Sequence, residues 1–362
     1  MQDTFAFIIH PIDPQRDVSR KFPMLGKLPV WLIDFLSVFF PPVYISEING
    51  VRSQATNNEL KGWFIACPLT PTRMMSLPPQ VVYRKIIQTG KKAEKLGAKI
   101  LGLGAFTAVV GDGGQTIAKH LNIPVTTGDS YTVAMAVEAV RKAAEVMEIP
   151  LPKATVAVVG ATGAIGAVCA QMLAAETKQL ILIGKRPDAL NQIAQKCRQL
   201  GGQDVITSVD MGDINEAHLI ITVTSDVQAV IQAEHLRRGA IVCDVARPRD
   251  VSLQVAQQRP DVLVIEGGMV AVPGDVDFGF NFGFPPKMAY ACMAETMALA
   301  LEQKYVSFTL GKEVQLSQVQ TIDKIASKHG FALGGFRSFE RAVTDQEIAN
   351  VKAQLQLKPD LL

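Results

Sequence analysis

Short apolar runs punctuate the second half of the chain at 155–159, 179–183, 204–206, 219–223, 240–245 and 262–266. They lack clean polar alternation, and segments with helical spacing separate them. Strands buried on both faces of a parallel sheet carry that pattern. Residues 151–284 are therefore predicted to form a Rossmann-like α/β domain with a parallel sheet. The first half reads as mixed α/β. Strands are expected at 5–9, 63–66 and 99–103, with an amphipathic helix over 81–96 and a linking helix over 130–147. The prolines of Ile149-Pro-Leu-Pro152 end that linker. A further helix is expected to start at Pro285-Pro286 and run to about Leu301, which places Cys292 about two turns inside it. The last sixty or so residues read as mostly helical, with a glycine-broken loop at 331–339. The expected organisation is an N-terminal α/β substrate domain at 1–150, the Rossmann-like domain at 151–284, and a helical C-terminal segment at 285–362.

One junction carries chemistry. The run Val156 to Val159 leads into Gly160, Gly163 and Gly166, and then into helical spacing at Ile165, Val168, Cys169, Met172 and Leu173. A strand, a glycine turn and a helix start let backbone N–H groups approach a pyrophosphate. Gly160, Thr162, Gly163, Ala164, Ile165 and Gly166 are the expected cofactor contacts. At the tip of the second strand, Ile183-Gly-Lys-Arg-Pro187 has no acid to accept from a ribose 2′-OH. Lys185 and Arg186 there suit a 2′-phosphate, so NADP(H) is favoured over NAD; a solvated basic turn is the alternative. Thr222 and Thr224 end another strand and either line the cofactor or serve as turn residues.

Composition narrows the class. The chain has 362 residues, 48% hydrophobic and 19% charged, and a net charge of +2. That length suits two or three domains, and the charge gives no reason to expect a nucleic-acid partner. The five cysteines, Cys67, Cys169, Cys197, Cys243 and Cys292, form no C-x-x-C pair. Neither a disulfide framework nor a metal site is expected, and a reducing cytoplasm is. No signal peptide is visible at Met1-Gln-Asp-Thr-Phe5. The apolar window from Val30 to Phe40 is too short to span a bilayer and carries Asp34. It reads as a buried helix or a cavity wall, with peripheral membrane contact as an alternative.

The reacting group is less legible. No Tyr-x-x-x-Lys or H-E-x-x-H spacing occurs, and the five histidines are scattered. Cys292 lies in an alanine-rich stretch, where a cysteine is more often a small core residue. Glu295, three residues on, would raise its thiol pKa.

A family resemblance shifts this balance. The chain resembles the cyanobacterial long-chain fatty acyl-[acyl-carrier-protein] reductases in six segments that run in the same order. They are Arg16-Asp-Val-Ser-Arg20, Gly102-Leu-Gly-Ala-Phe-Thr107, Thr126-Thr-Gly128, the stretch 154–166, Glu266-Gly-Gly268 and Ala291-Cys-Met-Ala-Glu295. The loop 272–284 and the segment beyond Gly330 depart from the family. The resemblance implies NADPH as cofactor and Cys292 as the nucleophile that receives the acyl group. It further implies a fatty acyl thioester, carried by acyl carrier protein or CoA, as the substrate and a fatty aldehyde as the product. Backbone amides of Gly267 and Gly268, or of the Thr126-Thr127-Gly128 loop, would then serve the oxyanion. An apolar tunnel would draw on Trp31 to Phe40, Met74, Met75 and Phe106. The basic helix from Arg84 to Lys95 could dock an acidic acyl carrier protein. Two rivals stay open: an oxidoreductase resembling shikimate or amino-acid dehydrogenases, which needs a Lys–Asp pair in the first half, and a non-catalytic NADP-binding redox sensor.

Overall fold

The computed structural model describes residues 3–226 and 228–356. It divides into two compact units, Met1–Tyr131 with Val270–Ala332, and Thr132–Met269 with Leu333–Leu362. The first unit begins with β1 (Asp3–Ile9), α1 (Pro14–Lys21) and α2 (Val30–Ser37). The hairpin β2 (Val43–Arg52) and β3 (Glu59–Ala66) follows, then α3 (Pro71–Ser76) and α4 (Pro79–Leu96). The short strands β4 (Leu101–Gly102) and β5 (Val125–Thr126) bracket α5 (Phe106–Val109) and α6 (Gln115–Lys119). Strand β1 pairs in parallel with β3 and β4, and β4 with β5, while β2 runs antiparallel to β3. Helix α4 buries Val82, Ile86, Thr89, Gly90 and Ala93, a stripe at helical spacing that packs into the core with Ile8, Ile65 and Leu101.

The second unit holds most of α7 (Asp129–Val146), the expected linking helix. Its six strands are β6 (Thr155–Val159), β7 (Gln179–Ile183), β8 (Val205–Ser208), β9 (Leu219–Thr222), β10 (Ile241–Asp244) and β11 (Leu263–Glu266). Helices α8 (Ala164–Leu173), α9 (Pro187–Gln199) and α10 (Leu253–Gln258) connect them. The sheet order β11-β10-β9-β6-β7-β8 is parallel throughout. Numbered from its first strand, that is the doubly wound Rossmann order, whose direction of winding reverses between β6 and β9. The α/β class and the parallel nucleotide-type sheet are as the apolar runs predict.

The chain then passes β12 (Met269–Ala271) and returns to the first unit with β13 (Gly274–Asp277), β14 (Met288–Tyr290), α11 (Ala291–Leu301) and α12 (Leu316–His329). Strand β13 pairs antiparallel with β2 and extends the first sheet to six strands. The division therefore falls at 131 and 269 instead of after 150 and 284, and the described residues of 285–362 are shared between the two units, 285–332 in the first and 333–356 in the second. Helix α11 is apolar all round, and every residue in it except Cys292 is buried. Such a helix must be covered on all sides, and here it packs on β1, β3 and β4.

The start of α11 is a second correction. Pro285-Pro286 does not open the helix. A turn and the strand β14 come first, so Cys292 is the second residue of α11 instead of lying two turns inside it.

Candidate functional site

Two arrangements carry chemistry, one in each unit. In the second unit the glycine turn follows β6, beside the exit of β9, where the winding reverses. Gly160 has φ +84°, and a Cβ there would meet the Val223 carbonyl oxygen at 2.8 Å. Only glycine takes that conformation at little cost while backbone approaches so closely. Gly163 is the N-cap of α8 and offers no side-chain cap. The first amides of the helix, from Ala164, Ile165 and Gly166, have no intrahelical acceptor and together with the helix dipole favour an anion. A Cβ on Gly166 would come within 2.4 Å of the Gly160 carbonyl oxygen. Thr162, in the turn, is half-buried. The turn fits a dinucleotide pyrophosphate.

The surrounding predicted contacts are less free. Lys185 is 86% exposed and pairs with Asp226 at 2.7 Å, so it has a carboxylate partner. Arg186 donates to the Thr162 carbonyl at 3.3 Å, which sets its guanidinium beside the turn. The Thr222 and Thr224 hydroxyls each donate to Asp250 at 2.5 Å, and the Thr224 amide does so at 2.9 Å. Asp250 thus takes the hydroxyl protons that could have served a ribose. Gly267 donates its amide to the Asp244 carbonyl at 3.0 Å, so that amide is not available to an oxyanion. Gly268, at φ +79°, makes the turn out of β11.

The second arrangement surrounds Cys292 in the first unit. Four of the five cysteines are buried, and Cys292 alone is partly accessible. Its sulfur lies 3.6 Å from where a Cβ on Gly104 would stand. On the other side Gly128, at φ +81°, packs so closely that its Cβ would fall 2.2 Å from the Cys292 Cα. Any side chain at 128 would displace the start of α11. Thr126 donates its hydroxyl to Glu295, and Thr127 donates to the Thr309 carbonyl at 2.5 Å. Glu295 is wholly buried and also accepts from the Tyr131 amide at 2.9 Å and the Thr309 hydroxyl at 3.2 Å. The backbone of Gly128 faces the same carboxylate. The loop predicted to supply oxyanion amides thus lies beside Cys292, with the Thr126 and Thr127 hydroxyls engaged by Glu295 and Thr309 and the Gly128 backbone turned to Glu295.

The electrostatics are set by burial. Desolvation pushes the Cys292 thiol up to about 12, with the Asp129 and Glu295 charges adding to it, while the Met293 amide works the other way. Desolvation also raises Glu295. Asp129 is pushed up to about 7, first by desolvation and then by the charge of Glu295. The Asp129 carboxyl is thus divided between acid and carboxylate near neutral pH, while the Cys292 thiol stays protonated. The early position of Cys292 in α11 places the sulfur where the helix dipole favours a thiolate.

Two of these residues escaped the sequence reading. Asp129 has the appearance of an ordinary first-turn helix acid, and only folding puts it beside Cys292. His10 is one of the scattered histidines, yet it is buried, and neither ring nitrogen has a hydrogen-bond partner among the described residues. Desolvation lowers it to about 4, so its imidazole is neutral. The pairing of Phe7 with Gly102 sets His10 one residue beyond the level of Gly104 on the neighbouring strand. Its ring meets the buried Phe106 edge-on, at 6.1 Å between centroids. A buried donor without a partner is costly and calls for a functional reason.

The apolar residues also divide. Phe106 and Met74 are buried, but Trp31, Phe35, Phe39 and Met75 face outward, so the α2 region does not wall a tunnel. An aromatic row, Phe64, Phe278, Phe282, Phe284 and Tyr290, instead runs through the 272–284 loop to the N-cap of α11.

Comparison with known proteins finds a family match on part of the chain and relatives along most of it. The shikimate / quinate 5-dehydrogenase family matches residues 141–266, the glycine-turn half of the chain. The chain is 28% identical over 364 residues to the aminotransferase PigE of a Serratia species, covering 96% of this chain. It spans only 42% of the length of that protein. It is also 28% identical over 344 residues to a long-chain acyl-[acyl-carrier-protein] reductase of Synechococcus elongatus, covering 90% of this chain and 98% of that one. Among solved structures, a dipicolinate synthase of Bacillus halodurans is similar with a TM-score of 0.33 and 16% identity, over 50% of this chain and 60% of that one. The yhdH oxidoreductase of Salmonella enterica, in complex with NADP, is similar with a TM-score of 0.29 and 16% identity, over 39% and 43%.

Proposed function

We propose that this protein is an NADPH-dependent reductase that converts a long-chain fatty acyl thioester to a fatty aldehyde through an acyl-enzyme on Cys292. The observation that carries this reading is the setting of Cys292. It is the one accessible cysteine, at the start of a buried helix, with a carboxyl poised near neutrality beside it. The relative named as an acyl-[acyl-carrier-protein] reductase, aligned over nearly its whole length, supports the same chemistry. The cofactor is NADPH, bound at the turn from Gly160 to Gly166. Arg186 meets the 2′-phosphate, and Lys185 exchanges Asp226 for it.

Asp129 takes the Cys292 proton, and the sulfur attacks the acyl carbon. The bond to the carrier sulfur breaks, and the carrier thiol leaves with the proton returned by Asp129. When bound, NADPH supplies the hydride that reduces the acyl carbon. His10 donates an N–H to the oxygen that carries charge in both steps, as a neutral imidazole can. The amides at the start of α11 add to that stabilisation. The bond from Cys292 to carbon then breaks, the aldehyde leaves, and the thiolate takes up a proton from solvent, the one proton the overall reduction consumes. The aromatic row ending at Tyr290 offers the acyl chain an apolar bed. The free thiol fits a reducing, cytoplasmic setting.

The shikimate-dehydrogenase reading has a family match only on the nucleotide half. Among the described residues the first unit contains two Lys–Asp pairs: Lys99 with Asp3 at 2.9 Å, at the amino ends of β1 and β4, whereas ligands gather at the carboxyl ends, and Lys287 with the 95% exposed Asp275 at 2.9 Å. The experiment is single turnover with a labelled long-chain acyl thioester. Intact mass should show an adduct on Cys292, and NADPH should then discharge it as aldehyde. Cys292→Ala should lose adduct and aldehyde while keeping NADPH binding, and His10→Leu should slow both steps. Aldehyde formed by Cys292→Ala would sink the covalent mechanism. NADPH binding without any adduct in the parent protein would favour a redox sensor.

A further inference from the structure

The face of α2 opposite its buried side is apolar and exposed. Ile33 and Ser37 point inward, whereas Trp31 is 68% exposed, Phe35 51% and Phe39 70%. Those three follow one another at four-residue spacing, and Phe35 and Phe39 touch at 5.4 Å between ring centroids. Val30, Phe40 and Met24, close in sequence, are exposed as well, Met24 to 84%. Single exposed apolar residues need no explanation, but a contiguous group of aromatic ones marks an interaction site.

Cations surround it. The Lys21 ammonium donates to the Ile45 carbonyl at 2.8 Å, Lys85 to Phe40 at 2.8 Å and Lys92 to Pro42 at 3.0 Å. Lys27, between α1 and α2, is exposed. None of these four lysines forms an ion pair among the described residues. The nearby acids of α1 are occupied: Asp17 pairs with Arg16, and Asp13 caps the helix. Asp34, in α2 itself, is half-buried, with one carboxylate oxygen shielded from solvent. The segment therefore presents exposed aromatic side chains near lysines that have no carboxylate partner among the described residues.

We propose that this face docks on an anionic lipid bilayer, with Trp31, Phe35 and Phe39 set into the headgroup region and the lysine rim against lipid phosphates. Amphipathic aromatic anchors with basic neighbours bind membrane surfaces in this way. An acidic protein would satisfy the lysines but leave the aromatic face in water. Among the described residues no helix is long and apolar enough to cross a membrane, so the contact is peripheral. The proposal goes beyond the catalytic reading and does not depend on it.

The full chain is mixed with vesicles of phosphatidylcholine alone or with added phosphatidylglycerol, and both cosedimentation and tryptophan emission are read. The other tryptophan, Trp63, is 7% exposed, so a change in emission reports Trp31. Binding and a blue shift are expected on the anionic vesicles, falling as salt rises. Trp31→Ala with Phe39→Ala should lower the partition coefficient by roughly tenfold or more, and Lys27→Glu should lower it by about fivefold or more. These side chains are exposed, so unchanged thermal melts are expected to show that the variants fold. No binding to anionic vesicles overturns the proposal, as does binding that the alanine variant retains. A dimer in light scattering that the alanine variant disperses would assign the face to a second copy and overturn it equally.

Discussion

The Asp129 carboxyl gives a prediction in which rate and stability move in opposite directions. Its folded pKa is about 7 against an ordinary 3.8. An acid with a raised folded pKa favours folding below its unfolded value, and that contribution is lost as pH rises through the folded one. The difference of about 3 units corresponds to roughly 4 kcal/mol held against the charged form. Asp129 is only half-buried, so solvent screening brings a realistic cost to about 2–4 kcal/mol. Asp129→Asn has the shape of the neutral acid and cannot ionise. The variant should match the parent in urea unfolding near pH 4 and exceed it by about 2–4 kcal/mol near pH 8. The same variant lacks the base for Cys292. Acylation in the parent should rise with pH through about 7, and in the variant that limb should vanish with a loss of roughly a hundredfold or more. The assay is the rate of adduct formation by quenched-flow mass spectrometry, beside urea melts over the same pH range. An Asn variant that is no more stable near pH 8 would refute the raised carboxyl. One that keeps both the rate and the pH limb would refute the base.

Three other predictions concern the second unit. Buried Glu266 pairs with Arg247 at 2.9 Å, Arg249 at 2.7 Å and Arg337 at 3.3 Å; burial opposes its charge, but the three arginines outweigh it and hold it at about 2. Because that pKa is depressed, about 3 kcal/mol of stability should disappear as pH falls from 4.5 towards 2. Glu266→Gln should cost about 3–5 kcal/mol near pH 7 in urea melts, by leaving buried guanidinium groups without their carboxylate. For the cofactor, Arg186→Ala should weaken NADPH binding by roughly tenfold or more with little effect on NADH, read by fluorescence titration. Equal losses for both nucleotides would remove Arg186 from 2′-phosphate recognition.

The nucleotide-type unit was largely legible from local pattern. All six strands of its sheet fall within two residues of the apolar runs that predict them; five of them are short, continuously apolar runs as strands buried on both faces require, and the edge strand β8, with Ile206 exposed, is the exception. The glycine turn was legible for a similar reason: its backbone geometry is imposed within a few residues. Strand β2 carried too mixed a pattern to be read beforehand, and the prolines at 285 and 286 suggested a helix start six residues before the one that forms, at Ala291.

What the chain decides by itself is what depends on neighbours in sequence: strand and helix periodicity, the turn from Gly160 to Gly166, the absence of an acid at Lys185-Arg186, and the apolar character of α11. The tertiary structure alone decides which groups share an environment. It returns 270–332 to the first unit, brings Gly104, Gly128 and Asp129 to Cys292, and leaves the buried His10 ring without a hydrogen-bond partner among the described residues. It also turns Trp31 and Phe39 outward. Burial and the approach of distant charges shift a pKa or orphan a donor, and both depend on contacts across more than a hundred residues that no local spacing encodes.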